Sequence, residues 1–166
     1  MNNPPSSSVW GALFRRRDPW ALTVATLWSE TPLFEGIPKA KIISLARNLH
    51  PRQYQAGEYI FHVGDHGAGV ALMLSGAVAI KSGNITLATM KRGDFFGEIS
   101  LVMDERRTAD AVCLESCELV FFLRPDLDEW TARAPHHGAR LTTNLAHVLA
   151  RRLLHANHML AQQKAD

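Results

Sequence analysis

Between Tyr54 and Leu123 the chain is a succession of short apolar runs, each stopped within a few residues by glycine or a polar turn. The runs are Tyr59-Ile60-Phe61-His62-Val63, Val70-Ala71-Leu72-Met73-Leu74, Ala77-Val78-Ala79-Ile80, Ile85-Thr86-Leu87-Ala88-Thr89, Asp110-Ala111-Val112-Cys113-Leu114 and Leu119-Val120-Phe121-Phe122-Leu123. Gly57, Gly64-Asp65, Gly67, Gly69, Ser75-Gly76, Ser82-Gly83-Asn84 and Gly93-Asp94 separate most of them. Runs this short cannot carry the repeated stripe of a packed helix, but they match the length of a strand, and the glycines supply the turns between strands. The pattern predicts an all-β middle: a sandwich, roll or barrel.

The flanks keep a different period. Asp18-Pro19 reads as a helix start, with Asp as cap and Pro in the first turn where its missing N–H costs nothing. That helix is expected to run to about Trp28. The segment Thr31-Pro32-Leu33-Phe34-Glu35-Gly36-Ile37-Pro38 punctuates the chain, and Ile42, Ile43, Leu45, Ala46 and Leu49 then recur at helical spacing, predicting a second short helix. After Arg124-Pro125-Asp126 the helical period returns with Leu127 and Trp130. Past Ala134-Pro135 it continues through Leu141, Leu145, Val148, Leu149, Leu153, Met159 and Leu160, a stripe of about five turns that must face the roll, another subunit, or both.

The expected fold class is therefore α+β, one domain over residues 18–166, with a roll over about 54–123 and C-terminal helices over about 125–162. A chain of 166 residues, 46% of them hydrophobic, supports one buried core. Residues 1–8, made mostly of Asn, Pro and Ser, have no apolar surface to offset ordering entropy and are expected to be a disordered tail. Residues 9–17 then set Trp10, Leu13 and Phe14 beside Arg15, Arg16 and Arg17. This composition fits a segment that docks on the protein's own body, with peripheral membrane contact the less favoured alternative.

A formal net charge of +2 is too small to require nucleic acid. Two cysteines, Cys113 and Cys117, build no disulfide framework, which favours a reducing, cytoplasmic setting. The N-terminus has no positive region leading into an apolar stretch, and no run of about 18 apolar residues occurs, so neither secretion nor a membrane span is inferred. The eight histidines do not alternate in ligand pairs: His62 and His66 are not so spaced, His136-His137 are adjacent, and His147, His155 and His158 follow a helix. Metal-ligand constellations require converging His and carboxylate groups, so no metal is expected. With no Ser/His/Asp or Cys/His arrangement deducible, no enzyme activity is expected either.

The chemistry concentrates in Gly93-Asp94-Phe95-Phe96-Gly97-Glu98-Ile99-Ser100-Leu101-Val102-Met103-Asp104-Glu105-Arg106-Arg107-Thr108-Ala109. Gly97 lets backbone approach a ligand, and Glu98 to Val102 is competent to start a short helix whose free N–H groups face an anion. Arg107 supplies a permanent charge and a planar fork for phosphate oxygens, and Thr108 a hydroxyl. Ionised Glu98 is an acceptor suited to a ribose hydroxyl.

Phe96-Gly97-Glu98-Ile99-Ser100-Leu101-Val102, followed by Arg107-Thr108-Ala109, resembles the phosphate-binding cassette of the cyclic-nucleotide-binding family. The resemblance extends over about residues 28–160, including Ala56-Gly57 and Gly76 at turns. It implies a β-roll of the double-stranded, jelly-roll type with N-terminal helices, a short cassette helix and a long C-terminal helix. It also implies a regulatory module for a cyclic purine nucleotide, cAMP by default with cGMP possible, and no other cofactor. The ligand-binding set it implies is Gly97, Glu98, Ile99, Ser100, Arg107 and Thr108.

Ala150-Arg151-Arg152-Leu153 resembles the dimer helix of the catabolite activator group. Continuing that match makes Asn157 a candidate base contact, and Leu145, Leu149, Leu153 and Leu160 a candidate homodimer seam. Arg106-Arg107-Thr108-Ala109 is spelled as in cyclic-nucleotide-gated channels, so an excised channel domain is one alternative. A domain that keeps the fold as a protein-interaction module without ligand is another. Asp110-Ala111 departs from the usual Thr-Val: a carboxylate lining the pocket would weaken phosphate binding, whereas one at the rim would change little. Because the chain ends at Asp166, a few residues past Leu160, no appended helix-turn-helix and no direct DNA binding are expected, and an unidentified protein is expected to read the ligand-bound state.

Overall fold

The computed structural model describes residues 19–163; the expectations for residues 1–17, and for Asp18 as a helix cap, lie outside these. Helix α1 (Pro19–Ser29), a 3₁₀ turn (Pro32–Phe34) and α2 (Lys39–Ala46) precede the roll. Strands β1 (His50–Tyr54), β2 (Tyr59–Phe61), β3 (Gly69–Ser75), β4 (Val78–Ser82), β5 (Ile85–Met90) and β6 (Phe95–Phe96) follow. A second 3₁₀ turn (Glu98–Leu101) leads to β7 (Asp110–Cys113) and β8 (Cys117–Leu123), and helices α3 (Arg124–Arg133) and α4 (Pro135–Gln163) complete the order. This is the α+β roll anticipated from the alternation of periods.

The strands form two four-stranded sheets, β1-β8-β3-β6 and β2-β7-β4-β5, and every pairing is antiparallel. Strand β3 is central in the first sheet, and its run Val70 to Met73 is wholly buried. Alternation sends Val70 and Leu72 to the helical layer and Ala71 and Met73 to the space between the sheets, so both faces are covered and the strand is apolar throughout. The helical layer is the larger core. Trp28 stacks on Phe34 at 4.4 Å and tilts against Phe122, and Leu141, Leu145 and Val148 of α4 close over them.

Two strands lie outside the six apolar runs. His50-Pro51-Arg52-Gln53-Tyr54 is an edge strand paired only with β8, so one flank needs no ladder bond, and both proline and charge are tolerated there. The two-residue β6 sits inside the segment already singled out for its chemistry. It pairs with Ala71 and Leu72 and delivers the chain into the second 3₁₀ turn.

Candidate ligand-binding site

The cassette begins where β6 ends. Gly97 has φ +80°, a left-handed conformation that an L side chain adopts only with strain, and a Cβ there would lie 2.5 Å from Arg107 Nη1. The backbone conformation demands glycine, and a Cβ there would displace the Arg107 guanidinium. The chain then turns through Glu98–Leu101, burying Glu98, Ser100 and Leu101 and leaving Ile99 exposed.

Arg107 reaches back to this turn. Its Nη1 donates to Gly97 O (3.2 Å) and Ser100 Oγ (3.0 Å), its Nη2 donates to Gly69 O (3.0 Å), and the guanidinium lies 4.2 Å over the Phe61 ring. Its Nε is buried without a hydrogen-bond partner. Burial lowers its pKa, against the raising influence of Glu98 and Asp65, which marks a cation held in a partly desolvated place. Arg106, by contrast, is exposed and donates to Gly64 O, so only the second arginine of the pair points inward.

The backbone of Arg107 is fixed from the opposite side. Its N–H donates to Asp65 O, its C=O accepts from Gly64 N, and the Gly67 N–H donates to Glu105 O. The β2–β3 connection therefore runs alongside 105–107, a pairing that no local signal announced. Asp110, the first residue of β7, is tied to that connection: its Oδ1 accepts from the Val63 N–H at 2.8 Å and lies 3.6 Å from His62 Nδ1. The carboxylate is thus engaged by the Val63 amide and faces His62. Thr108 is exposed beside Arg107 and outside any strand, so it does not share strand alternation with Asp110.

Glu98 is only 3% exposed and pairs with a residue that sequence reasoning had not placed in the site. Arg152 of α4 donates from Nη1 to Glu98 Oε1 (2.6 Å) and from Nη2 to Phe95 O (3.1 Å), with its guanidinium 5.3 Å from the Phe95 ring centre. Glu98 Oε2 is buried without a partner. The Arg-Arg pair at 151–152 was visible, but only the fold tells which of the two turns inward. Asn157, five positions on, is exposed and makes no hydrogen bond to the roll, so Arg152 is the α4 side chain that the structure brings to the cassette. A cavity of about 260 Å³ lies outside the cassette but shares Arg152 and Phe95 with it, and Val148, His147 and Arg151 also line it.

The arrangement can hold an anion against Arg107 and a hydroxyl donor against Glu98, on the two sides of one backbone turn. A roll closed by helices at both ends, with the Arg107 cation reaching back to a turn that buries the Glu98 carboxylate, defines an α+β roll domain. The chain belongs to the cyclic nucleotide-binding domain family, whose match covers residues 51–134. It is 34% identical over 132 residues to the Cyclic AMP receptor protein of Thermus thermophilus, covering 76% of this chain and 59% of that one. It is 28% identical to human Cyclic nucleotide-gated channel beta-1, over 82% of this chain and 11% of that protein. Among solved structures, the Thermus thermophilus Catabolite Activator Protein superposes with a TM-score of 0.72 at 33% identity, over 81% of this chain and 63% of that one.

The chain spans about three-fifths of the length of the Thermus protein and of the CRP-like cAMP-activated global transcriptional regulator of Mycobacterium tuberculosis, to which it is 31% identical. Family members are typically non-catalytic regulatory domains, although one relative, 31% identical over 78% of this chain, is Glutaminase 1 of Bradyrhizobium diazoefficiens. Among the described residues no helix is long and apolar enough to cross a membrane, and no cluster of three or more His, Cys, Asp or Glu could hold a metal ion.

Proposed function

We propose that this chain is a regulatory module that binds a cyclic purine nucleotide, cAMP in preference to cGMP, and signals through α4 to a protein partner. The observation that carries the reading is a pair of buried atoms without partners at the cassette: Nε of Arg107, which reaches back to the turn, on the cationic side and Oε2 of Glu98, within the turn, on the anionic side. A buried polar atom without a partner costs about 1–3 kcal/mol, and a ligand bearing both a phosphate and a hydroxyl recovers that cost at both places. Gly97, Ile99 and Ser100 form the wall of the seat, Thr108 offers its hydroxyl at the edge, and Asn157 meets the base when the end of α4 closes. The name of the Thermus relative, a cyclic AMP receptor, supports cAMP as the first ligand to test.

Calorimetric titration with cAMP and cGMP tests the reading. Replacing Arg107 by Ala removes the charged fork, and the expected loss is about 3 kcal/mol, roughly two orders of magnitude in Kd, with the fold retained. Equal affinity in the wild type and Arg107→Ala would place the ligand elsewhere. One observation favours a second reading, a protein-interaction module without nucleotide: Arg152 already engages Glu98 Oε1, the acceptor that a ribose would use. The absence of heat with either nucleotide at millimolar concentration would decide for it.

A further inference from the structure

Ser100 is held by two arginines from different parts of the chain. Arg107 donates to its side-chain Oγ at 3.0 Å, and Arg124, the first residue of α3, donates to its backbone carbonyl from Nε at 3.1 Å and from Nη2 at 3.0 Å. Arg124 Nη2 also donates to Met103 O at 2.6 Å, and Nη1 lies 3.6 Å from Asp104 Oδ1. Its backbone N–H donates to Ala68 O, one residue before Gly69, whose carbonyl receives the second arm of Arg107. One guanidinium thus closes the C-terminal end of the cassette turn, where carbonyls have no intrahelical partner, and it does so from the start of the helix that leads to α4.

From this geometry we infer that Arg124 is the positioning residue that fixes the cassette and carries its state to α3, through Ser100. The inference deepens the proposed function and rests on it for the ligand. An anion drawing Arg107 toward itself competes with Ser100 Oγ and Gly97 O for the same N–H groups, and the turn that those bonds restrain is the turn Arg124 grips from behind. The fork geometry matters, because a lysine carries the charge but cannot span Ser100 O, Met103 O and Asp104 together. Asp126 holds the adjoining first turn of α3 by accepting from the Leu123 N–H at 2.8 Å, so a shift at Arg124 moves the helix start and not a loose loop.

Arg124→Lys and Arg124→Ala in the full chain test this, with hydrogen exchange and calorimetry as readouts. Without nucleotide, exchange at 97–103 is expected to accelerate at least tenfold in both variants while the melting temperature of Arg124→Lys stays close to wild type. With cAMP, Arg124→Lys is expected to bind roughly tenfold more weakly, the loss of one charge-assisted bond, and to lose the ligand-induced slowing of exchange in α3. Wild-type exchange at 97–103 and wild-type protection of α3 in both variants would overturn the inference. If Arg124→Ala does not fold, Arg124→Lys alone decides. If wild type binds no nucleotide, the proposed function fails and the ligand-free exchange still decides whether Arg124 fixes the turn; unchanged exchange there overturns the inference on its own.

Discussion

Cys113 and Cys117 flank the turn between β7 and β8 with both side chains buried in the core between the sheets. Burial, followed by the hydrogen bond with Cys117, pushes the Cys113 thiol from its ordinary 9.0 up to about 12, so at neutral pH it is a small protonated core residue and not a nucleophile. The native state then holds that proton more tightly than the unfolded chain does. Its contribution to stability is complete below pH 9 and is lost as pH rises from 9 toward 12. Tyr54, raised above 10.0 mainly by burial, adds in the same direction. The melting temperature is therefore expected to be insensitive to these groups up to pH 9 and to fall above it. A Cys113→Ala variant should show a shallower alkaline fall, and an identical profile would exclude the thiol as the cause. Asp110 makes the complementary lesson at this scale: its carboxylate was visible next to the motif, yet that it accepts from the Val63 amide, 47 positions away, was not.

At the scale of elements, α4 divides in two. Leu141, Leu145 and Val148 are buried against the chain's own helices and first sheet, so Leu145 of the expected dimer seam is committed to the chain's own core, while Leu149 is partly packed at its edge. From Arg151 to Gln162 every residue is exposed, including Leu153, Leu154, Met159 and Leu160, at 62%, 59%, 47% and 57%. A continuous amphipathic stripe was legible; where the chain's own body ends beneath it was not. Four apolar side chains on a bare helical stretch are the material of a two-fold helix contact. Sedimentation is expected to give twice the chain mass, and Leu153→Glu with Leu160→Glu, which disturbs no contact buried within the chain, should yield a folded monomer with unchanged secondary-structure content. A wild-type monomer at high micromolar concentration would exclude this assembly.

At the scale of the molecule, the cassette is joined to α4 by Arg152 and to α3 by Arg124, so a ligand seated on the cassette would have two physical routes to the helices. A ligand shifts a helix only by its differential affinity for two states, and a coupling of about 1–3 kcal/mol is sufficient. The last turns of α4 have no cover of their own and fray more easily than the turns over the core. Cyclic nucleotide is expected to slow hydrogen exchange over residues 150–160, and to do so less in Asn157→Ala. Unchanged exchange there at saturating ligand would remove α4 as the lid.

What the sequence determined by itself was local. Period and glycine placement are read along the chain, so the roll, its turns, the helices and the Phe96 to Ala109 motif were all legible, as was the need for glycine at 97. What only the tertiary structure decided was which distant groups meet. The polar edge strand β1 is specified by its partner β8, Arg152 is chosen over Arg151 by the direction in which α4 crosses the roll, and Arg124 finds Ser100 because β8 ends beside β3. The physical reason is that a strand or helix needs only its own pattern of side chains, whereas a binding site needs charges from separate elements to be desolvated together, and that is settled when the layers pack.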